Sequence, residues 1–238
     1  MGCFVAPICL AEIRNGYSEI AGARSSLTSI RKLLNETHGL SHIERQNMRF
    51  KMEDLERYII HHALTEKLLI IFKDISPDLY AEMDTLKDSR GRTVDVYVKF
   101  VPENGLPPGV AGVTSLDQDK ADEHTCRSEF GPNTVSVKIA AGNKSLAILA
   151  HELGHVHYQT MNLASYAKYY NTSYVNSTST RKSIGHNDQD DSGKRAVNFV
   201  ERFKQRFLSY IREGKEKPKS PETLLQGIER ELKNKGEI

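Results

Sequence analysis

The chain has 238 residues, of which 38% are hydrophobic, so it is long enough to bury one substantial core. It carries 33 Lys and Arg against 31 Asp and Glu, a net charge of +2, which argues against nucleic acid or an anionic membrane as a partner. No apolar run approaches the roughly 20 residues of a membrane-spanning helix, so the sequence predicts no membrane span.

The first ten residues, MGCFVAPICL, lack the basic region and the long apolar region of a secretory signal. We therefore predict no signal peptide in the chain as given, and the compartment stays open. Cys3, Cys9 and Cys126 form no CxxC pair, which favours free thiols over a disulfide framework or a cysteine-bound metal.

Apolar spacing predicts two helices in the N-terminal third, from about residue 25 to 34 and from about residue 51 to 74. Alternating apolar side chains then predict three strands, at 93–101, 110–116 and 134–140. The polar stretch 171–183 is typical of a loop, and it separates a helix at about 145–160 from another at about 192–212. After a linker that begins at residue 214, apolar spacing predicts a short amphipathic helix that docks on the domain, through Leu224, Leu225, Ile228 and Leu232.

The chemistry is carried by HELGH at residues 151–155, within the helix predicted at about 145–160. Residues four apart lie on one face of an α-helix, so His151 and His155 can present their imidazoles to a single metal ion. Glu152 lies off their line, where it can accept a proton from a water that the metal activates. We therefore predict a Zn²⁺ site with His151 and His155 as ligands and Glu152 as the general base.

The run AILAHELGHVHYQ resembles the active-site helix of the zincin metallopeptidases. The small residue Gly154, the apolar residues before the motif and the strand ahead of the helix are similar to the order in a compact zincin. The resemblance implies a zincin-like α+β fold, a Zn²⁺ cofactor, and hydrolysis of a peptide or protein substrate.

A catalytic zinc needs a third protein ligand, and the sequence leaves its identity open. Met161 occupies the position at which a metzincin has its third histidine, so that arrangement is excluded. In glutamate-type zincins the third ligand lies on a later helix, and Glu201, on the helix at about 192–212, resembles that residue. Asp191 and His186 are the alternatives, because Glu201 could be an exposed helical acid. Asp191 could in turn be an acid that stabilises the start of the helix.

We therefore predict a zinc-dependent metallohydrolase, and a peptidase in particular, because the strand at 134–140 could pair with an extended peptide as an edge strand does. A toxin or effector-type zincin that acts on one specific protein would carry the same motif. A catalytically inactive zincin-like binding module is a third hypothesis, although such a scaffold has no chemical need for Glu152.

These elements together predict an α+β fold, with a small mixed sheet of about three strands packed on the active-site helix and further helices before and after it. We divide the chain into three parts. Residues 1–50 form a partly helical N-terminal segment, residues 51–213 a zincin-like catalytic domain, and residues 214–238 a linker with a short C-terminal amphipathic helix.

Overall fold

The structure is a computed structural model that describes residues 8–10, 20–102, 105–115, 127–128, 131–162 and 191–238. Six helices lie in this part of the chain: α1 (Ile20–Glu36), α2 (His42–Ile75), α3 (Pro77–Asp84), α4 (Ser145–Met161), α5 (Asp191–Arg212) and α6 (Pro221–Asn234). The strands are β1 (Ile8–Cys9), β2 (Asp95–Val101), β3 (Gly112–Ser115), β4 (Arg127–Ser128), β5 (Gly131–Pro132) and β6 (Thr134–Ala140). The predicted loop at 171–183 lies outside the described residues.

Helix α2 begins at His42, well before the predicted start near residue 51. Ser41 is its N-cap: the Ser41 hydroxyl accepts a hydrogen bond from the backbone N–H of Glu44, and the Glu44 carboxylate accepts one from the backbone N–H of Ser41. This capping box satisfies two amide groups that would otherwise lack an intrahelical acceptor, so it starts the helix in a stretch where apolar spacing is weak. The predicted boundary between residues 50 and 51 consequently falls inside α2.

The main sheet has the strand order β1-β2-β6-β3. Strand β6 runs parallel to β2 and antiparallel to β3, while the two-residue β1 adds antiparallel to β2. The predicted small mixed sheet is therefore confirmed, with β1 as a short fourth strand, and β4 and β5 form a separate antiparallel pair. Because β2 and β3 hydrogen-bond to its two sides, β6 is internal. The expectation that the strand at 134–140 offers a sheet edge is wrong, and within the described residues β3 is the edge strand beside it.

The core lies where α2 and α4 pack on the sheet. Its centre is formed by side chains of β2 and β6 that are at most 1% exposed: Val96, Val98, Phe100, Val135, Val137 and Ile139. The Thr65 hydroxyl of α2 accepts a hydrogen bond from the Phe100 N–H at 3.1 Å and donates one to the His61 carbonyl at 2.9 Å, which fixes α2 against β2. Since β6 leads into α4 after only residues 141–144, the same packing sets the position of α4.

The C-terminal helix α6 docks on the N-terminal helices, as its apolar spacing predicts. Leu232 is 6% exposed and lies in a small apolar cluster with Leu27 of α1 and Ile59 of α2. Ser220 caps the helix, since its hydroxyl accepts a hydrogen bond from the backbone N–H of Thr223. None of the helices in the described ranges is both long enough and apolar enough to cross a membrane.

Candidate metal centre and catalytic cleft

The two histidines of HELGH lie side by side on one face of α4. The Nε2 atoms of His151 and His155 are 3.0 Å apart, and the two rings meet edge to face with their centroids 4.7 Å apart. This proximity follows from the helix, because residues four positions apart are neighbours on its surface. The structure therefore places the two predicted ligands as a pair.

The distance between these two nitrogens tests whether the pair suits a metal ion. Two imidazole nitrogens that share a tetrahedral zinc lie about 3.3 Å apart, given zinc–nitrogen bonds of about 2.0–2.1 Å. The observed 3.0 Å is within a few tenths of an ångström of this separation. Among the residues that the structure describes, no third His, Cys, Asp or Glu joins the pair. The described residues thus fit two of the three protein ligands of a catalytic zinc.

The orientation of His155 is fixed by the first turn of α5. Its Nδ1 atom lies 2.9 Å from the Ser192 hydroxyl, and His155 itself is 4% exposed. If Nδ1 carries the proton and donates to Ser192, then Nε2 carries the lone pair that a metal ligand needs. Ser192 reaches His155 because α4 and α5 cross closely: a Cβ at Gly154 would lie 2.5 Å from the Cα of Ala196.

Strand β3 holds the side chain of Glu152 in place. Glu152 is 4% exposed, and the Thr114 hydroxyl of β3 donates a hydrogen bond to its Oε2 at 2.7 Å. Burial raises the pKa of Glu152 to about 7, although the hydrogen bond from Thr114 acts in the opposite direction. A carboxylate with a pKa near neutrality is suited to accept and return a proton.

A cleft of about 790 Å³ opens over these side chains, between β3 with the residues before it and the exposed face of α4. Its walls are small or apolar apart from the motif, Thr114, Lys144 and Gln159. Gln159 follows His155 by one helical turn and is 5% exposed, yet its Oε1 accepts no hydrogen bond from the described residues. A buried polar atom without a partner is uncommon in a folded protein.

The structure does not bring Glu201 to the histidine pair. Its carboxylate lies 2.5 Å from the Lys204 ammonium, and its side chain is 54% exposed. The face of α5 that turns towards α4 and the cleft carries Ser192, Ala196 and Val200. Glu201 is one residue beyond Val200 and thus about 100° farther around the helix, so it faces solvent. The structure therefore does not place Glu201 beside the histidine pair, and its role as a ligand remains a prediction.

The two alternative ligands remain predictions. Asp191 is the first residue of α5, immediately before Ser192, and its side chain is 72% exposed and pairs with Lys194 at 3.3 Å. This pairing and position fit an acid that stabilises the start of a helix. His186 lies outside the described residues.

Three residues at the site have no place in the sequence-based prediction: Thr114, Gln159 and Ser192. Gln159 carries a signal that spacing could have shown, because it continues the helical face of the two histidines. Thr114 and Ser192 reach the motif from β3 and α5, which are distant in sequence, so no local pattern identifies them.

Comparisons of the chain with protein-family models, with curated proteins and with solved structures find no match. The zincin resemblance accordingly remains an expectation that depends on HELGH and its surroundings.

Proposed function

We propose that this protein is a zinc-dependent metallohydrolase that cleaves peptide bonds. The observation that carries the proposal is the pair of histidine Nε2 atoms 3.0 Å apart, next to a buried glutamate that Thr114 orients from the edge strand. Three elements form the site: α4 supplies the motif, β3 orients Glu152 and α5 orients His155.

In this proposal His151 and His155 hold the zinc through their Nε2 atoms. Bound there, a zinc ion would supply a water whose pKa is lowered towards about 7 and a positive charge that polarises a substrate carbonyl. Ser192 fixes the tautomer and the ring plane of His155, as partners of ligating histidines generally do.

Glu152 is the proton acceptor in this proposal. Thr114 donates to Oε2, which restrains the carboxylate and leaves Oε1 to take a proton from the attacking water and to pass it to the departing amine. An inactive binding module has no use for a base held in this way, which favours an enzyme.

A peptide is the preferred substrate because the cleft is bordered by an edge strand. Strand β3 hydrogen-bonds to β6 on one side and is the last strand of the sheet on the other, within the described residues. An extended peptide can add to such an edge through its backbone groups, and this would pass its carbonyls over Glu152.

Elemental analysis of the purified protein, after exposure to zinc and removal of excess metal, tests the proposal. We expect about one zinc per chain in the parent and in Glu152→Gln, and loss of zinc in His155→Ala. Digestion of denatured casein should occur with the parent and should stop in Glu152→Gln, although that variant keeps its metal.

The same assay decides the third ligand. Because Glu201 faces solvent and pairs with Lys204, we expect Glu201→Ala to retain zinc, and the search then moves to Asp191→Asn and His186→Ala. Loss of zinc in Glu201→Ala would instead show that α5 turns this face inwards when metal binds. A parent protein that takes up no zinc when it is supplied would refute the metallohydrolase.

A further inference from the structure

A second cavity of about 770 Å³ lies at the N-terminal end of α4, where α5 and the segment 214–220 close over it. Its floor is apolar and combines residues from α2, α4, α5 and the start of α6, namely Leu68, Leu146, Phe203, Phe207 and Pro221. We call this cavity the basic groove because four lysines line it. Its volume and apolar floor are in the range of sites that bind small molecules or short peptide segments.

The charged residues of the basic groove are all of one sign. Four lysines line it, and no acidic residue does: Lys144, Lys204, Lys217 and Lys219. Lys204 is paired with Glu201, whereas the other three have no carboxylate within ion-pair distance in the described ranges. The apolar floor can contact an apolar group of a ligand, and the unpaired lysines at the rim can pair with carboxylates next to that group.

The basic groove is adjacent to the catalytic cleft. Lys144 and Ala147 line both cavities, so the two meet along the first turns of α4. Lys144 precedes His151 by seven residues, which is about 10 Å along a helix. An extended peptide covers about 3.3 Å per residue, so about three residues separate a substrate group at Lys144 from the carbonyl at His151.

We propose that the basic groove is an exosite for the substrate, which binds an apolar side chain flanked by carboxylates about three residues from the cleaved bond. The substrate class is thus an acidic, apolar peptide segment. This assignment rests on the proposed peptidase function, because it assumes that one substrate chain runs from the catalytic cleft past Lys144 and Ala147 into the basic groove. The apolar side chain lies on Phe203 and Phe207, and the carboxylates face Lys217 and Lys219.

Calorimetric titration of the full-length, zinc-supplied Glu152→Gln protein with peptides tests the exosite without needing turnover. The probes are two hexapeptides, EELFEE and QQLFQQ, blocked at both ends. We expect EELFEE to bind about tenfold more tightly than QQLFQQ, and to lose about tenfold in affinity when Lys217→Glu and Lys219→Glu are combined. A second variant, Phe207→Ala, should weaken the binding of both peptides, because it removes apolar contact and no charge.

The matched control makes the same change of charge elsewhere. Lys32 and Lys51 are exposed lysines of α1 and α2, far along the chain from either cavity, and Lys32→Glu combined with Lys51→Glu should leave both affinities unchanged. Equal binding of the two peptides, or equal losses in the two double variants, would overturn the exosite. Binding of dodecanoate but of neither peptide would overturn it as well, since the groove would then hold a small amphipathic anion.

Failure of the exosite and failure of the proposed function give different results. A protein that binds zinc and digests casein, but shows no preference for EELFEE, contradicts the exosite alone. A protein that binds EELFEE through Lys217 and Lys219, but takes up no zinc, contradicts the peptidase and with it the role of the groove as an exosite.

Discussion

At the scale of single residues, the approach of β3 to Glu152 depends on the absence of a side chain at Gly112. A Cβ at this position would lie 2.7 Å from Oε1 and 2.8 Å from Cγ of Glu152, and 2.9 Å from a methyl group of Ile148. These atoms belong to side chains, so they can move without unfolding the protein. Glu152 would then leave the position in which Thr114 holds it.

We therefore predict that Gly112→Ala lowers kcat/KM for peptide cleavage by at least roughly tenfold while zinc content stays near the parent value. The physical reason is displacement of a general base, whose contribution to rate is typically about 100-fold or more when it is fully lost. Steady-state cleavage and elemental analysis of the same preparation provide the measurement. Unchanged turnover in a folded Gly112→Ala protein would show that Glu152 does not need this close contact.

At the scale of secondary-structure elements, the site depends on how closely α4 and α5 cross. The crossing occurs at Gly154, whose added Cβ would meet backbone atoms, the Cα of Ala196 at 2.5 Å and the carbonyl oxygen of Arg195 at 2.9 Å. Backbone atoms in a packed helix cannot swing aside, so the two helices would have to separate. Separation would also withdraw Ser192 from His155.

We predict that Gly154→Ala destabilises the metal-free protein by about 1–3 kcal/mol, the usual cost of overpacking. This outcome opposes the general rule, since replacing a glycine inside a helix with alanine normally adds about 0.5–1 kcal/mol of stability. Gly227 of α6 is the matched control because nothing lies within 4 Å of its added Cβ, so Gly227→Ala should follow the general rule. Urea denaturation of both variants measures the two effects, and a stabilised Gly154→Ala would contradict the tight crossing.

At the scale of the whole molecule, two buried groups make stability depend on pH in opposite directions. Burial raises the pKa of Glu152 from 4.5 to about 7, so the folded state binds its proton more tightly than the unfolded state does. The resulting stabilisation is complete below pH 4.5 and is lost as the pH rises to 7. Burial, with Arg24 nearby, lowers the pKa of His62 from 6.5 to about 4, so its contribution is present above pH 6.5 and is lost as the pH falls to 4.

We predict that Glu152→Gln stabilises the metal-free protein relative to the parent at pH 8, by up to about 3 kcal/mol, and that this difference shrinks steadily as the pH is lowered to 4. As the pH rises from 4 to 8, the parent loses stability because its buried Glu152 must ionise, whereas glutamine stays neutral. Denaturant titrations of both proteins in chelator, from pH 4 to pH 8, measure the difference. A difference that is constant with pH would mean that Glu152 is not desolvated in the metal-free fold.

Local spacing along the chain is sufficient to predict several features of this fold. The period of an α-helix brings His151 next to His155, and the alternation along 93–101 and 134–140 predicts two strands that the structure contains at 95–101 and 134–140. The apolar stripe of the last helix predicted its docking, which Leu232 achieves. Each of these features depends on residues that are a few positions apart, so the pattern along the chain is sufficient to predict it.

The other residues of the site come from elements that are distant in sequence, and packing between those elements brings them to the motif. The order of the strands makes β3 rather than β6 the edge, and so gives Thr114 to Glu152. The rotation of α5 about its axis turns Ser192 towards His155 and leaves Glu201 in solvent, although both residues lie on the same predicted helix. Strand order and helix rotation are set by packing between elements far apart in sequence, and that packing depends on close approaches such as the one at Gly154, which no local periodicity encodes.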